Sequence, residues 1–276
     1  MMKLNELMWT LNNTYLFDYD THTENFSSNL HAHRSYEIII LESGSTTILL
    51  DDKLYPLSEG EILLISPDSL HKNNGGAKHS RYAIHFTMDY LLNHFQESVC
   101  TDLTHIFKID KLSVKARAFR IISEIMKHIE TDFGKKHPYI HIAEILSVIS
   151  DPSNHSVISP KIDNAIIQNV MNYVHNNYNT ITGLDDIALY ASISKEYLCQ
   201  VFKKETGLTV SHYLNGVKIS KACELLRSGS TNITETALLC GYNSPMYFYK
   251  VFKNIMHMTP KEYRNNNAPF KFAFPH

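Results

Sequence analysis

Long apolar runs are missing from this sequence of 276 residues. No segment approaches the roughly 18 consecutive apolar residues that a transmembrane helix needs. The first residues, MMKLNELMWTLNNTY, contain no apolar core of the kind found in signal peptides. We therefore expect no membrane association and a cytoplasmic location.

Cysteine is also scarce, and the four residues are Cys100, Cys199, Cys223 and Cys240. They form no closely spaced pair of the kind that holds a structural metal ion. In a reducing compartment such cysteines are small apolar or surface residues, so no disulfide is expected.

The chain has little net charge, −2 with histidine neutral, but this charge is unevenly distributed. Residues 161–276 contain 12 Lys+Arg and 8 Asp+Glu, a net of +4, whereas residues 1–160 carry a net of −6. A mildly cationic domain indicates modest, salt-sensitive DNA binding rather than tight non-specific binding to DNA. The acidic part is not expected to touch DNA.

Residues 233–264, ITETALLCGYNSPMYFYKVFKNIMHMTPKEYR, predict a helix, a tight turn at Gly241 and a second helix. Ser244 followed by Pro245 is a typical N-cap and first helical residue. Within the second helix Phe248, Val251, Phe252 and Ile255 recur at helical spacing and should face the core. The opposite face carries lysines and aromatic residues, which suits a helix that reads the DNA major groove. An ordinary helical hairpin with a solvated face is the alternative.

The same pattern occurs fifty residues earlier, which favours DNA recognition over the ordinary hairpin. SKEYLCQVFKKETGLTVSHYL, which begins at Ser194, aligns with SPMYFYKVFKNIMHMTPKEYR, which begins at Ser244. A duplicated helix-turn-helix can place two recognition helices in successive major grooves, roughly 34 Å apart.

The predicted DNA-contacting residues lie on the outward faces of the two recognition helices. Gln200 suits an adenine edge and Glu196 a cytosine amino group, and most of the lysines suit phosphates. The full set is Lys195, Glu196, Tyr197, Cys199, Gln200, Lys203, Lys204, Asn243, Ser244, Pro245, Met246, Tyr247, Tyr249, Lys250 and Lys253.

From about Ile162 to Arg264 the chain resembles the AraC/XylS transcription regulators, most closely in A..CGY.S..YF.KVFK.....TP.EYR. His257 stands where the family usually has glycine, and Thr236 where it usually has isoleucine. The resemblance implies a sequence-specific regulator, an activator rather than an enzyme, with no cofactor. Its implied partners are double-stranded promoter DNA, a small-molecule effector such as a sugar, RNA polymerase and a second copy of the chain.

Residues 1 to about 90 have the pattern of short β-strands punctuated by glycine and proline. The predicted strands include 15–17, 36–41, 46–50, 61–65 and 81–86. Closely spaced strands without intervening helices favour a small antiparallel barrel or double-sheet roll, which can enclose one small ligand.

In this region HAHRSYEIIILESG places His31, His33 and Glu37 on one strand face, where His71 from a neighbouring strand could join them. The stretch is similar to the cupin motifs, although the spacing of Gly60 and His71 departs from the metal-binding pattern. It also resembles the sensor barrel of the AraC regulators. A divalent metal site, a metal-free pocket and purely structural histidines remain open, and we predict a ligand pocket without metal.

Tyr82 and His85 complete the predicted ligand-binding set. They lie on a later strand at an odd spacing, which places them on opposite faces, and one of them should face the pocket.

Two helices are predicted after the strands, over 115–133 and 139–149. The first has an apolar stripe that includes Ile121 and Ile122. In the regulators that this chain resembles such helices usually pair two protomers, so we favour pairing over core packing within one chain. Ile122→Asp should separate the two, since a substitution in a dimer interface gives folded monomers and one in the core unfolds the domain.

The predicted fold is α+β, a cupin-like β-barrel with two helices followed by an all-helical double helix-turn-helix. The predicted domains are 1–150 for ligand sensing and dimerisation, 151–160 as a linker, 161–267 for DNA binding and 268–276 as a tail.

Two other functions remain open. One is a metal-dependent cupin enzyme that carries a DNA-binding domain, although no clearly spaced acid–base pair accompanies the histidines. The other is a DNA-binding adaptor whose barrel serves only for dimerisation.

Overall fold

The computed structural model describes residues 15–22, 26–129, 131–158 and 164–265. The predicted tail and residues 159–160 of the predicted linker lie outside the described residues. Within the described ranges a β-rich region precedes a wholly helical one, so the predicted α+β fold is confirmed.

The β-rich region contains nine strands among the described residues. They are β1 Tyr15–His22, β2 Tyr36–Ser43, β3 Ser45–Leu50, β4 Lys53–Ser58, β5 Glu61–Ile65, β6 His71–Gly76, β7 His79–Phe86, β8 Lys111–Val114 and β9 His155–Val157. They form a six-stranded sheet in the order β1-β7-β2-β5-β8-β9 and a three-stranded sheet in the order β4-β3-β6. The strand pairs are antiparallel, and together the sheets make the predicted double-sheet roll.

Alternation along the strands divides their side chains between two cores. Ile39 and Leu41 of β2 point toward the three-stranded sheet and pack with Ile48 and Leu50 of β3. Ile38, from the opposite face of β2, packs against helices that cover the large sheet. The central strand β2 is therefore buried on both faces of the large sheet.

Those helices are α1 Met88–Leu92, α2 Glu97–Thr104, α3 Ala116–Ile129, α4 Asp132–Lys136 and α5 Pro138–Ser150. The sequence predicts one helix over 115–133, but the structure separates α3 from α4. The Thr131 hydroxyl donates to the His128 carbonyl over 2.6 Å and accepts the Gly134 amide over 3.1 Å, which starts a new helix. α3 buries Ala118, Ile122 and Met126 against the core that contains α5.

Residues 152–157 of the predicted linker form regular structure. Pro152–Asn154 forms a 3-10 turn whose first residue follows the cap Asp151, and β9 pairs with β8, with Ser156 opposite Ser113. The pairing satisfies backbone hydrogen-bonding groups, so it cannot be predicted from the polar side chains of this segment. That the segment connects two domains stays a prediction.

The helical region contains seven helices among the described residues. They are α6 Ala165–Asn177, α7 Leu184–Ala191, α8 Lys195–Thr206, α9 Val210–Ser228, α10 Ile233–Leu239, α11 Pro245–Met256 and α12 Pro260–Arg264. The two predicted helix-turn-helix units are α7–α8 and α10–α11, and α9 connects them.

The helical region packs on the outer face of the three-stranded sheet. Leu49, Leu54 and Leu70 belong to the same core as residues of α6 and α9. A Cβ atom at Gly216 of α9 would lie 2.5 Å from a methyl carbon of Leu70 and 2.9 Å from one of Leu30. The small sheet thus separates the interior of the roll from the helical region.

Candidate DNA-binding face and buried histidine cluster

The two recognition helices begin and are buried in the same way. The Ser194 hydroxyl accepts the Tyr197 amide over 3.1 Å at the start of α8, and the Ser244 hydroxyl accepts the Tyr247 amide over 3.3 Å at the start of α11. These N-caps satisfy backbone donors that the first helical turn leaves unpaired. Phe202 of α8 and Phe248 of α11 are fully buried, so each helix has a fixed inward face.

Every residue predicted to contact DNA is exposed, and all lie on these helices or their caps except Asn243, which precedes the cap Ser244. Met246 is 83% exposed, which is high for an apolar side chain. The Lys195 ammonium lies 2.8 Å from the Asp185 carboxylate of α7, and the hydrogen bond to Asp185 raises the pKa of Lys195. The Ser194 and Ser244 hydroxyls are occupied as caps, so Ser244 is placed to support its helix. The contacts with DNA themselves stay predictions.

Five residues inside the roll form a group that we call the histidine cluster: His31, His33, Glu37, His71 and His85. His33 Nε2 lies 2.9 Å and His71 Nε2 3.1 Å from Glu37 Oε2, and His85 Nε2 lies 3.6 Å from Glu37 Oε1. Glu37 is 4% exposed, and the members from His33 onward are all buried.

The cluster is assembled by strand register. His85 of β7 stands directly opposite Glu37 of β2, and His31 and His71 form an antiparallel bridge between their backbones. His71 belongs to β6 of the small sheet, so the cluster spans the two sheets at one end of the roll. The sequence therefore identified all five members, although it gave no register.

Backbone carbonyl groups hold the other ring nitrogen of three of these histidines. His31 Nδ1 lies 2.9 Å from the Asn29 oxygen and His71 Nδ1 2.9 Å from the Ser69 oxygen. His33 Nδ1 lies 3.1 Å from both the carbonyl and the hydroxyl oxygen of Ser35. Since a carbonyl oxygen only accepts, the Nδ1 atoms of His31 and His71 carry the hydrogen.

Burial dominates the ionisation of the cluster. Desolvation lowers the pKa of His31 well below its usual 6.5, lowers that of His33, and lowers that of His85 to about 3. Burial alone would raise the pKa of Glu37, but the charge of His85 and hydrogen bonds with His33 and His71 outweigh it and hold that pKa well below 4.5. For His31, His33 and His85 burial thus favours the neutral imidazole, which is the form that binds metal ions.

Tyr82 does not join the cluster, and its prediction as a ligand contact is corrected. Its hydroxyl donates to Glu42 Oε1 over 3.3 Å, and its ring lies 4.7 Å from that of Tyr19. Tyr82 stands opposite Ile40 in β2, and Ile40 packs against the helices rather than inside the roll. The odd spacing of Tyr82 and His85 does place them on opposite faces, as predicted.

Contacts between the two regions were missed from sequence. Asp68 is buried and forms an ion pair with Arg227 of α9, and the Ser220 hydroxyl donates to the Asp68 carbonyl over 3.1 Å. The Arg34 guanidinium lies 4.9 Å from the centre of the Tyr263 ring. The sequence gives no signal for these pairs, since each joins residues that are more than 150 positions apart.

Comparison with protein families agrees with this division of the chain. Residues 13–93 match the model of the AraC-like ligand binding domain, and residues 187–266 match that of a helix-turn-helix domain. The chain is 35% identical to the transposon Tn10 TetD protein of Escherichia coli over 101 residues. This stretch covers 37% of this chain and 73% of that protein. The chain belongs to the AraC family of transcription regulators.

Two further AraC relatives differ in how much they share. The xylose operon regulatory protein of Escherichia coli is 39% identical over 106 residues, which are 38% of this chain and only 27% of that protein. The transcriptional activator RhaR of Mannheimia succiniciproducens is 24% identical over 264 residues, 86% of this chain and 87% of that one. The stronger identity of the xylose regulator is therefore confined to a stretch much shorter than that protein.

None of the helices in the described ranges combines the length and the apolar character that a membrane crossing requires.

Proposed function

We propose that this AraC family member binds promoter DNA through α8 and α11 and activates transcription in response to a small-molecule effector held by its N-terminal region. The observation that carries the proposal is the pair of matched recognition helices with exposed outer faces and identical serine caps. Promoter binding places the protein with the DNA in the cytoplasm, and activation requires contact with RNA polymerase.

Selection of bound duplexes from a random DNA pool tests the DNA-binding part. At about 150 mM salt, where non-specific binding is weak, full-length protein should enrich two short elements about one helical turn apart. A single element would mean that one recognition helix does not read DNA, and no enrichment by folded protein with or without candidate effectors would contradict the proposal.

Variants of α8 then separate base contacts from phosphate contacts. Gln200→Ala should relax preference at one position of the selected site, with discrimination reduced by roughly 1–3 kcal/mol. Lys204→Ala should weaken all sequences alike and reduce the slope of log affinity against log salt by about one unit. An equal loss on every sequence for both variants would contradict the assignment of Gln200.

Pairing of two copies is proposed through an apolar groove between α2, α3 and α5. Ile121 is 41% and Val99 40% exposed there, and Ile140 and Val148 of α5 line the same groove. The occupant we propose is the same groove of a second copy, because a symmetric dimer brings identical patches together.

A sugar is the effector class that we propose, supported by the name of the xylose operon relative. Thermal unfolding with a panel of sugars tests it: one of them should raise the midpoint, because a ligand that binds only the folded state stabilises it. No shift with any sugar, together with normal DNA selection, would favour the adaptor, in which the roll serves for dimerisation. Because the relatives named above are transcription regulators, we also propose that this protein is not an enzyme.

A further inference from the structure

The donor atoms of the histidine cluster lie close enough together to surround an ion. One donor atom from each of His33, Glu37 and His85, and likewise from His31, His33 and His71, lies within 4.8 Å of the others. In zinc sites with bonds of about 2.0–2.2 Å, two ligand atoms are about 3.4 Å apart for a tetrahedral ion. Shifts of about an ångström or less would therefore bring the three donors of either group onto one ion.

The two ring nitrogens of His71 face different partners. His71 Nδ1 lies 2.9 Å from the Ser69 carbonyl oxygen, which accepts its hydrogen. His71 Nε2 lies 3.1 Å from Glu37 Oε2, so a cation at this position would contact both an imidazole nitrogen and a carboxylate oxygen.

We propose that the histidine cluster binds one divalent transition-metal ion through imidazole Nε2 atoms and the Glu37 carboxylate. Imidazole and carboxylate ligands suit zinc, cobalt, nickel and ferrous ions rather than calcium or magnesium. The carbonyl groups of Asn29 and Ser69 orient two of the rings, as outer hydrogen-bond partners do in metal sites. His85 lies outside both sequence motifs, so the set is not the one that the motifs alone supply.

The position of the cluster connects ion binding with the DNA-binding helices. His31 alternates with Leu30 and Ala32, and His71 follows Leu70, so the same two segments point imidazoles inward and apolar side chains toward α9. The His33 carbonyl also accepts the Asp68 amide over 2.6 Å, and Asp68 holds Arg227 of α9. Drawing the imidazoles onto an ion would therefore move or stiffen the surface on which α9 rests.

Cobalt binding to the full-length chain tests the site. Metal-stripped protein should take up one Co²⁺ per chain, with the visible absorption of a nitrogen- and oxygen-ligated ion. Glu37→Gln and His71→Gln should weaken binding by at least roughly 100-fold. His79→Gln is the matched control, because His79 is buried in the same roll with its Nδ1 bound to the Ala77 carbonyl at 2.9 Å and lies outside the cluster. Folded wild-type protein without stoichiometric binding, or equal binding by all three variants, would overturn the site.

The connection to α9 rests on the proposed function and has its own readout. Affinity for the selected duplex should differ at least about threefold between Co²⁺ and a chelator, and Asp68→Asn should shrink this difference while it leaves Co²⁺ binding unchanged. Equal DNA affinity in the two conditions would overturn the connection. A chain that binds Co²⁺ but selects no DNA would contradict the proposed regulatory function and leave the ion site standing.

Discussion

At the scale of single residues, one position carries backbone strain that its counterpart in the other repeat avoids. α8 ends at Gly207 with φ +67°, and α11 ends at His257 with φ +55°. Both residues adopt the left-handed conformation that terminates a helix, and only glycine does so without a Cβ penalty. His257, which stands where the family usually has glycine, is thus a strained residue in a turn of the same conformation.

His257→Gly should therefore stabilise the helical region by about 1 kcal/mol, because it removes the left-handed penalty of roughly 1–2 kcal/mol less the entropy cost of glycine. The measurement is the free energy of unfolding in urea. His257→Ala keeps the strained conformation and removes the imidazole, so it should give no stabilisation. A gain of the same size in both variants would trace the effect to the imidazole instead.

His22 gives a pH dependence at the same scale. Burial, with a smaller contribution from the charge of Arg81, lowers the pKa of His22 from 6.5 to about 4. Between these pH values the imidazole of His22 binds a proton in the unfolded chain but not in the folded chain. The free energy of unfolding therefore decreases as pH falls from 6.5 to 4. This decrease corresponds to a slope of up to about 1.4 kcal/mol per pH unit.

His22→Phe should flatten the dependence of unfolding free energy on pH by about that amount, since the new ring retains stacking on Phe26, whose centre is 3.8 Å away. Urea unfolding at a series of pH values below about 6.5, such as 6.0, 5.5 and 5.0, measures the slope of the unfolding free energy against pH. His105→Gln, at an exposed position, should leave the slope as it is. An unchanged slope in His22→Phe would mean that His22 titrates normally in the folded chain.

At the scale of elements, the sequence identifies best those strands and helices whose apolar spacing is regular. β2, β3 and α11 follow this rule. β6 was missed because its residues, HKNNGG, turn a histidine and an asparagine into the interior, where Asn73 accepts a hydrogen bond from the Thr46 hydroxyl over 2.8 Å. β4 was missed because it contains Pro56, which is tolerated because β4 is an edge strand. Polar groups that pair only in the fold have no periodic signature.

The two neighbouring isoleucines of α3 give the sharpest test at this scale. The structure places Ile122 in the core with 1% exposure, so Ile122→Asp would unfold the N-terminal region, at a cost of at least roughly 4 kcal/mol, and cannot report on pairing. Ile121→Asp changes the exposed groove and should give a folded monomer. Sedimentation equilibrium and circular dichroism measure the two properties. A folded dimer of Ile121→Asp would exclude this groove as the dimer interface.

At the scale of the whole molecule, the two regions share an apolar contact in which α9 lies very close to the roll. Gly216 of α9 faces Leu30 and Leu70, and charged or hydrogen-bonded pairs such as Asp68 with Arg227 surround this apolar centre. Helix propensity alone would disfavour glycine in the middle of α9. The close approach of the leucines explains why a larger residue does not fit there.

Gly216→Val should lower the free energy of unfolding by roughly 1–3 kcal/mol through overpacking, and should increase the radius of gyration in solution scattering as the regions separate. Ser211→Val is the control, since it adds the same side chain at an exposed position of α9 and should change stability by less than about 1 kcal/mol. Equal effects of the two variants would show that the contact between the regions contributes little.

β9 limits how far the DNA-binding helices can travel from the roll. This strand ends at Val157, and the cap of α6 is Asn164, so only seven peptide steps join the edge of the sheet to the first helix of the helical region. A chain of that length spans at most roughly 25 Å, whatever path it follows. In the proposed dimer each helical region would stay within this distance of its own roll, which would limit the separation of the two DNA elements that one dimer can bind.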